Sequence, residues 1–375
     1  MTLIRTNCRH YRISLPCAPH KATGTRCDEC GLYDPVAERI LIVKLDAIGD
    51  VLRTTTCLEP LKAKYPNSHI TWITRSRAAD VLRGNALIDR VLTVESNYLE
   101  FILAEDFDLA IGPDTDHLSA TIMRLARASS RRGFIGDGRG GVIPLNDAAR
   151  QWWEMGLDDL LKRQNRRTYG EWLYDICELP PPVARPSLQP SEHGSAAARR
   201  LIRARAPDAS QVVCFNTGGS SRWEQKRWKQ DSYRQLALAI RAADPAAAII
   251  LTGGPDEAAF NAALLASNAP FVDGGTDNAI DAFAGLIAAS DVVVTPDSLG
   301  YHIACAVGTP AICLVGPTSP WELDTYDTNR VLHADLECIS CYLARCPLAT
   351  TCMDALTPPM VLPVVSEVRA QRHRC

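Results

Sequence analysis

Arg39-Ile-Leu-Ile-Val-Lys-Leu-Asp-Ala-Ile-Gly-Asp50 is the stretch whose reading decides the fold. Up to Lys44 it is short, apolar and β-branched, as a strand covered on both faces must be. Gly49 then punctuates the chain, and Leu58, Leu61 and Tyr65 follow at helical spacing. Strand, loop and helix in that order predict a βα unit. The same grammar continues, with strands expected over 69–74, 91–94 and 109–111 and a helix over 78–83. Further along it returns, with strands over 211–216, 248–252, 270–272, 292–295 and 311–314. Helices are expected over 230–243, 256–267, 280–289 and 302–307. Such alternation predicts an α/β protein with parallel sheets covered by helices.

A chain of 375 residues exceeds what one hydrophobic core usually serves, so two domains are expected. The break falls at Leu179-Pro-Pro-Pro-Val-Ala-Arg-Pro-Ser-Leu-Gln-Pro190, whose five prolines forbid helix and discourage a central strand. The expected organisation is a Cys/His-rich appendage (1–35), a Rossmann-like domain (36–180) and a proline-rich linker (181–195) acting as hinge. A second Rossmann-like domain (196–357) and a C-terminal helix or tail (358–375) follow.

Hydrophobic residues at 46% and charged residues at 22% describe a globular enzyme. A net charge of -3 argues against a nucleic-acid binder held by a general cationic field. The opening MTLIRTNCRHYRISLPC lacks the apolar run of a signal peptide, and no segment approaches the roughly 20 apolar residues of a membrane span. The expected place is the cytoplasm, with any membrane-linked substrate met from the side.

Ligands of open α/β sheets collect at the carboxyl ends of parallel strands, which selects few polar residues. After the first strand stand Lys44, able to hold an anionic acceptor group or simply solvated, and Asp50, a helix cap or a base. After the matching strand of the second half comes Asn216-Thr-Gly-Gly-Ser-Ser-Arg-Trp-Glu-Gln-Lys-Arg-Trp228. There glycine N–H groups, hydroxyls and Lys226 suit phosphate, although an ordinary loop has the same composition. Glu257, in Thr252-Gly-Gly-Pro-Asp-Glu257, is either a partner of a helix dipole or a contact to a ribose or base. Asp297, Ser298 and His302 surround the turn into a helix whose N-terminus would face a diphosphate.

Taken together, six motifs resemble glycosyltransferase family 9, the ADP-heptose:lipopolysaccharide heptosyltransferases. They are Ile40 to Asp50, Lys226-Arg-Trp228, Gly253-Gly-Pro-Asp-Glu257, Asp297-Ser298 with His302, Gly308-Thr-Pro310 and Gly316-Pro-Thr-Ser-Pro320. They match in order and spacing over roughly 39–360. The resemblance implies a GT-B fold, two facing Rossmann-like domains with a cleft between them, and single displacement with inversion from a nucleotide-sugar donor. It implies Asp50 as catalytic base, Lys226 and the Asn216-Thr217-Gly218 loop at the donor diphosphate, and Glu257 at the nucleoside. Asp297, Ser298 and His302 would form the donor signature. No metal is expected to be needed for that chemistry, and the acceptor would be a glycan or lipid-linked molecule at the inner membrane face. A sugar-nucleotide 2-epimerase and an inert sugar-nucleotide-binding scaffold are the competing readings; motif order disfavours the epimerase. One departure stands out: Leu299 occupies the place after Asp-Ser where the family has glycine, so the turn is expected to differ.

Of the fourteen cysteines, Cys8, Cys17, Cys27 and Cys30 crowd into the start with His10 and His20. The pair Cys27-x2-Cys30 suits tetrahedral zinc, and an iron–sulfur cluster is the other fit. Cys338-x2-Cys341-x4-Cys346-x5-Cys352 reads as a clamp, metal-bound, disulfide-linked or reduced, and the helical end near 364–372 is expected to pack back on the first domain.

Overall fold

The computed structural model describes residues 3–219 and 225–372. In the first half, β1 (Arg39–Val43), β2 (His69–Thr74), β3 (Arg90–Thr93), β4 (Asp106–Gly112), β5 (Arg127–Gly136) and β6 (Val142–Pro144) form one sheet in the order 3-2-1-4-5-6. The second sheet, made of β7 (Gln211–Asn216), β8 (Ala247–Thr252), β9 (Phe271–Asp273), β10 (Val292–Pro296), β11 (Ala311–Val315) and β12 (Arg330–His333), runs 12-11-10-7-8-9. Within each sheet the first strand lies between the second and the fourth, so both have the same doubly wound order. Every pairing is parallel except that of β5 with β6. The order reverses beside β1 and β7, and there the strand ends leave a crevice for a ligand.

Central strands are apolar throughout because helices cover both faces: Ile40, Leu41, Ile42 and Val43 are wholly buried, as are Val292, Val293 and Val294. β5 was not legible in this way. Its Arg127, Ser129, Ser130, Arg131 and Arg132 offer no apolar run, and pairing with β4 from Asp106↔Arg127 to Gly112↔Gly133 makes it a strand. The helix expected over 78–83 is instead Ser76–Ala79, followed by tighter i→i+3 turns such as Leu82 N to Ala79 O that end at Gly84, whose φ is +75°.

The proline-rich stretch is extended and stitched to both halves. Ala184 N donates to the Tyr174 hydroxyl (2.8 Å) and Ser187 N to Thr55 Oγ1 (2.7 Å), while Arg185 reaches Tyr326 O and Thr328. The helix Glu192–Arg205, capped by Ser191, then packs on Ile280–Ala288. A Cβ on Gly285 would lie 2.5 Å from the Gly194 carbonyl oxygen, so this crossing needs glycine.

The C-terminal helix, Pro358–Arg372, lies on the second domain, not on the first as expected. Its Val361, Val365 and Val368 form a stripe at helical spacing that joins Tyr233, Leu236 and Ile240 in that domain's core. Arg369 donates to Asp244 at 2.7 Å alongside. The two halves meet elsewhere: helix Ile48–Thr54 packs on helix Leu299–Val307, and one apolar cluster runs from Ile40 and Val51 to Tyr301 and Ile303.

Candidate active site at the domain junction

Lys44 follows β1 directly and is buried, with its ammonium donating to Asp114 just beyond β4. Burial alone would lower its pKa; Asp114, with Tyr169 and Asp50, outweighs burial and holds it above the ordinary lysine range. This cation is therefore a fixed feature of the cleft wall rather than a solvated side chain.

Asp50 is the third residue of helix Ile48–Thr54, and the cap position belongs to Ala47. With no side-chain oxygen at the cap, Asp50 reaches back to the Ala47 N–H (3.4 Å) and stands 3.7 Å from Arg53. Its side chain keeps 39% exposure and borders a cleft of about 440 Å3 with Lys44, Arg53, Asp114, Trp152 and Tyr169. Cap partner and solvent-facing carboxylate are thus the same group.

Sequence reading missed Asp114, Trp152 and Tyr169. Tyr169 opens the helix Tyr169–Cys177, and its hydroxyl lies 3.0 Å from Thr54 Oγ1; burial pushes it up to about 12. Trp152 meets its ring edge-on at 5.7 Å, and the Arg53 guanidinium sits over the ring at 3.9 Å. The capping box Thr168-x-x-Glu171 was the available signal for that helix. Arg53 also donates to Glu322 O at 2.7 Å, across the junction.

On the second wall, Asn216 ends β7 and ties the strand ends together. Its amide donates to Thr295 Oγ1 (2.9 Å) and Ser298 Oγ (3.0 Å), and its carbonyl oxygen accepts from Gly218 N (3.3 Å). Thr217 Oγ1 donates to Asn261 at 2.6 Å. Residues 220–224, the middle of the glycine-containing loop, lie outside the described residues.

Lys226 donates to Asp297 at 2.7 Å, and Thr318 donates to the same oxygen at 2.9 Å. Burial works against the Asp297 charge, but Lys226 and His302, with those hydrogen bonds, hold the carboxyl at about 2. Glu257 is buried; Arg227 donates to one of its oxygens (2.6 Å) and Gly254 N to the other (3.0 Å). A carboxylate with two bonds retains acceptor capacity.

Leu299 sits at an ordinary helix start. Ser298 holds the N-cap position in extended conformation (φ −156°) without a side-chain cap bond, its hydroxyl meeting Asn216 and Thr295 instead, and Leu299 is the first helical residue, without positive φ. Gly300 must be glycine because a Cβ there would lie 2.5 Å from Asn216 Nδ2.

His302 lies in the same helix against Gly49, where a Cβ would fall 2.7 Å from His302 Cδ2. Burial, aided by Arg53 and Lys226, lowers its pKa to about 4, so the imidazole is neutral at pH 7. Because the folded value lies below the ordinary 6.5, the unfolded chain binds the proton first, and the associated stability is complete above about pH 6.5 and lost as pH falls toward 4. A decline of roughly 3 kcal/mol across that window is expected, flattened in His302→Asn. Denaturant unfolding at pH 7.0, 5.5 and 4.5 checks it; an unchanged slope in the variant would assign the decline to another group.

Among the described residues, no three of His, Cys, Asp and Glu are gathered as a metal ion would hold them. None of the described helices is long and apolar enough to cross a membrane.

Residues 99–351 match the family model described as glycosyltransferase family 9 (heptosyltransferase). The chain is 23% identical over 319 residues to lipopolysaccharide heptosyltransferase 1 of Escherichia coli K12, covering 78% of this chain and 92% of that protein. Its fold is similar to that of a family 9 glycosyl transferase from Veillonella parvula DSM 2008 (TM-score 0.74, 17% identity, 89% of this chain and 98% of that one). It is also similar to the E. coli ADP-heptose lps heptosyltransferase II (TM-score 0.68, 19% identity, 89% and 99%).

Proposed function

This chain belongs to glycosyltransferase family 9, the heptosyltransferase family, and from that premise we propose that it moves a heptose-like sugar, with inversion, from ADP-heptose to a glycan or lipid-linked acceptor at the cytoplasmic face of the inner membrane. Its two Rossmann-like domains have the GT-B arrangement. The observation that carries the reading is the pairing of two unlike walls across one junction. An open Asp50 carboxylate stands on the first, and Lys226, Asp297, Ser298 and His302 cluster on the second.

In this reading Asp50 accepts the proton of the acceptor hydroxyl as that oxygen attacks the anomeric carbon, and the bond to the diphosphate breaks on the opposite face. Lys226, oriented by Asp297, and the N–H groups opening helix Leu299–Val307 take up the charge of the departing diphosphate. Neutral His302 adds no charge there. Glu257, closing the short turn Pro255–Glu257 that follows β8, contacts the nucleoside, and the adenine assignment leans on the name of the E. coli relative, an ADP-heptose enzyme. Lys44 holds the acceptor side of the cleft. An acceptor at a membrane face is supported by Leu157, Leu160 and Leu161, exposed by 72%, 66% and 44% and followed by Lys162 and Arg163; of these, Leu157 and Lys162 line the cleft itself.

Calorimetric titration with ADP, GDP and UDP, followed by transfer from ADP-heptose to acceptors in anionic or neutral vesicles, tests the whole reading. ADP-selective binding and acceptor-dependent transfer, faster on anionic vesicles, are expected. Binding of none of the three would favour an inert scaffold, and donor turnover without acceptor an epimerase.

A further inference from the structure

Residues 3–35 have no core of their own. Pro19 alone among them is buried, Ile13 and Leu15 are 90% and 58% exposed, and the regular structure is the six-residue helix Ala18–Thr23. A segment this short does not hold one shape by apolar burial, and small units of this kind rely on disulfides or a metal. The cysteines here are free thiols.

Cys8, Cys17, Cys27 and Cys30 are all half-buried, and all four line a single cavity of about 440 Å3 together with His10 and His20. His20 Nδ1 donates to Thr25 O at 3.0 Å, which leaves Nε2 as the nitrogen available to a ligand, the arrangement usual for imidazoles at metal sites. The cavity is also anchored. Cys8 pairs with Pro35, and the adjacent Arg9 donates to Asp34 and to Ser68 O, each at 3.0 Å, and bonds Asp89 of the first domain.

We propose that this cavity is a structural site for one thiophilic divalent cation, zinc or iron, held by the thiolates of Cys8, Cys17, Cys27 and Cys30. Four sulfurs match the tetrahedral preference of either ion; they line one cavity without converging on a single point, so the coreless segment closes around the ion as it binds. On binding, four S–H groups lose their protons to solvent and four metal–sulfur bonds form, with no change of oxidation state. The binding free energy becomes the folding free energy of the appendage and holds Arg9 in its ion pairs on the first domain. The inference concerns a part of the chain remote from the sugar-transfer residues and does not depend on the transferase reading.

The test is elemental analysis of the full chain, purified without chelators and again after reconstitution with Zn2+ or with Fe2+ under argon. One zinc or iron per chain is expected, retained in Cys341→Ser/Cys346→Ser and lost in Cys27→Ser/Cys30→Ser. Native wild-type protein supplies a second readout free of folding defects: four thiols should react with a disulfide reagent only after a chelator removes the ion. Absence of stoichiometric metal after reconstitution would overturn the site. So would metal that follows Cys341 and Cys346, or mass spectrometry finding the four N-terminal cysteines paired as disulfides.

Discussion

Asp50→Asn is expected to lower kcat by about a thousandfold, within the range that general-base removal usually costs, while the dissociation constant for ADP changes by less than about twofold. Asparagine keeps an oxygen that can accept from the Ala47 N–H, so the helix start survives, and the ion pair with Arg53, at 3.7 Å and partly exposed, contributes little. What disappears is the basic lone pair facing the cleft. The donor groups stand on the other wall, so nucleotide binding is the internal control. Steady-state rates with saturating acceptor, set beside calorimetry of the same protein, separate the two effects. Wild-type turnover in the variant would remove Asp50 as the base.

Lys226→Met is expected to weaken ADP binding by about a hundredfold, the scale of losing a charge-assisted bond to phosphate in a partly dry site. It also leaves the Asp297 carboxylate, held at about 2, with Thr318 but without its ammonium, so stability should fall by about 3 kcal/mol. The double change Lys226→Met/Asp297→Asn distinguishes these losses. Removing the stranded charge should restore most of the stability, as followed by denaturant unfolding, but not the affinity for ADP. Recovery of both would make Lys226 a structural partner of Asp297 and move the diphosphate contact elsewhere.

The candidate site was legible only as an inventory of residue types at strand ends. Lys44, Asp50, Asn216, Lys226, Asp297 and His302 all border the junction, yet their roles depend on partners that spacing does not reveal. Lys44 reads as solvated until Asp114, 70 residues later, meets its ammonium, because β4 pairs beside β1. Gly300 makes room for the Asn216 amide, a requirement that its position in the sequence does not reveal. Tyr169 and Trp152 carried no chemical motif and enter the cleft because the helices Tyr169–Cys177 and Asp147–Leu157 pack there.

By itself, the sequence determined the features that local physics dictates. Short apolar β-branched runs bounded by polar residues are strands covered on both faces, and the five prolines at 180–190 exclude a helix there. Tertiary structure alone decided that the arginine-rich β5 is a strand, that the C-terminal valines lie on the second domain, and that Gly49 meets His302. Each of these depends on which surfaces come together over a hundred or more residues, or on a ladder that one strand offers another. That free energy belongs to the pair and is written in neither segment separately.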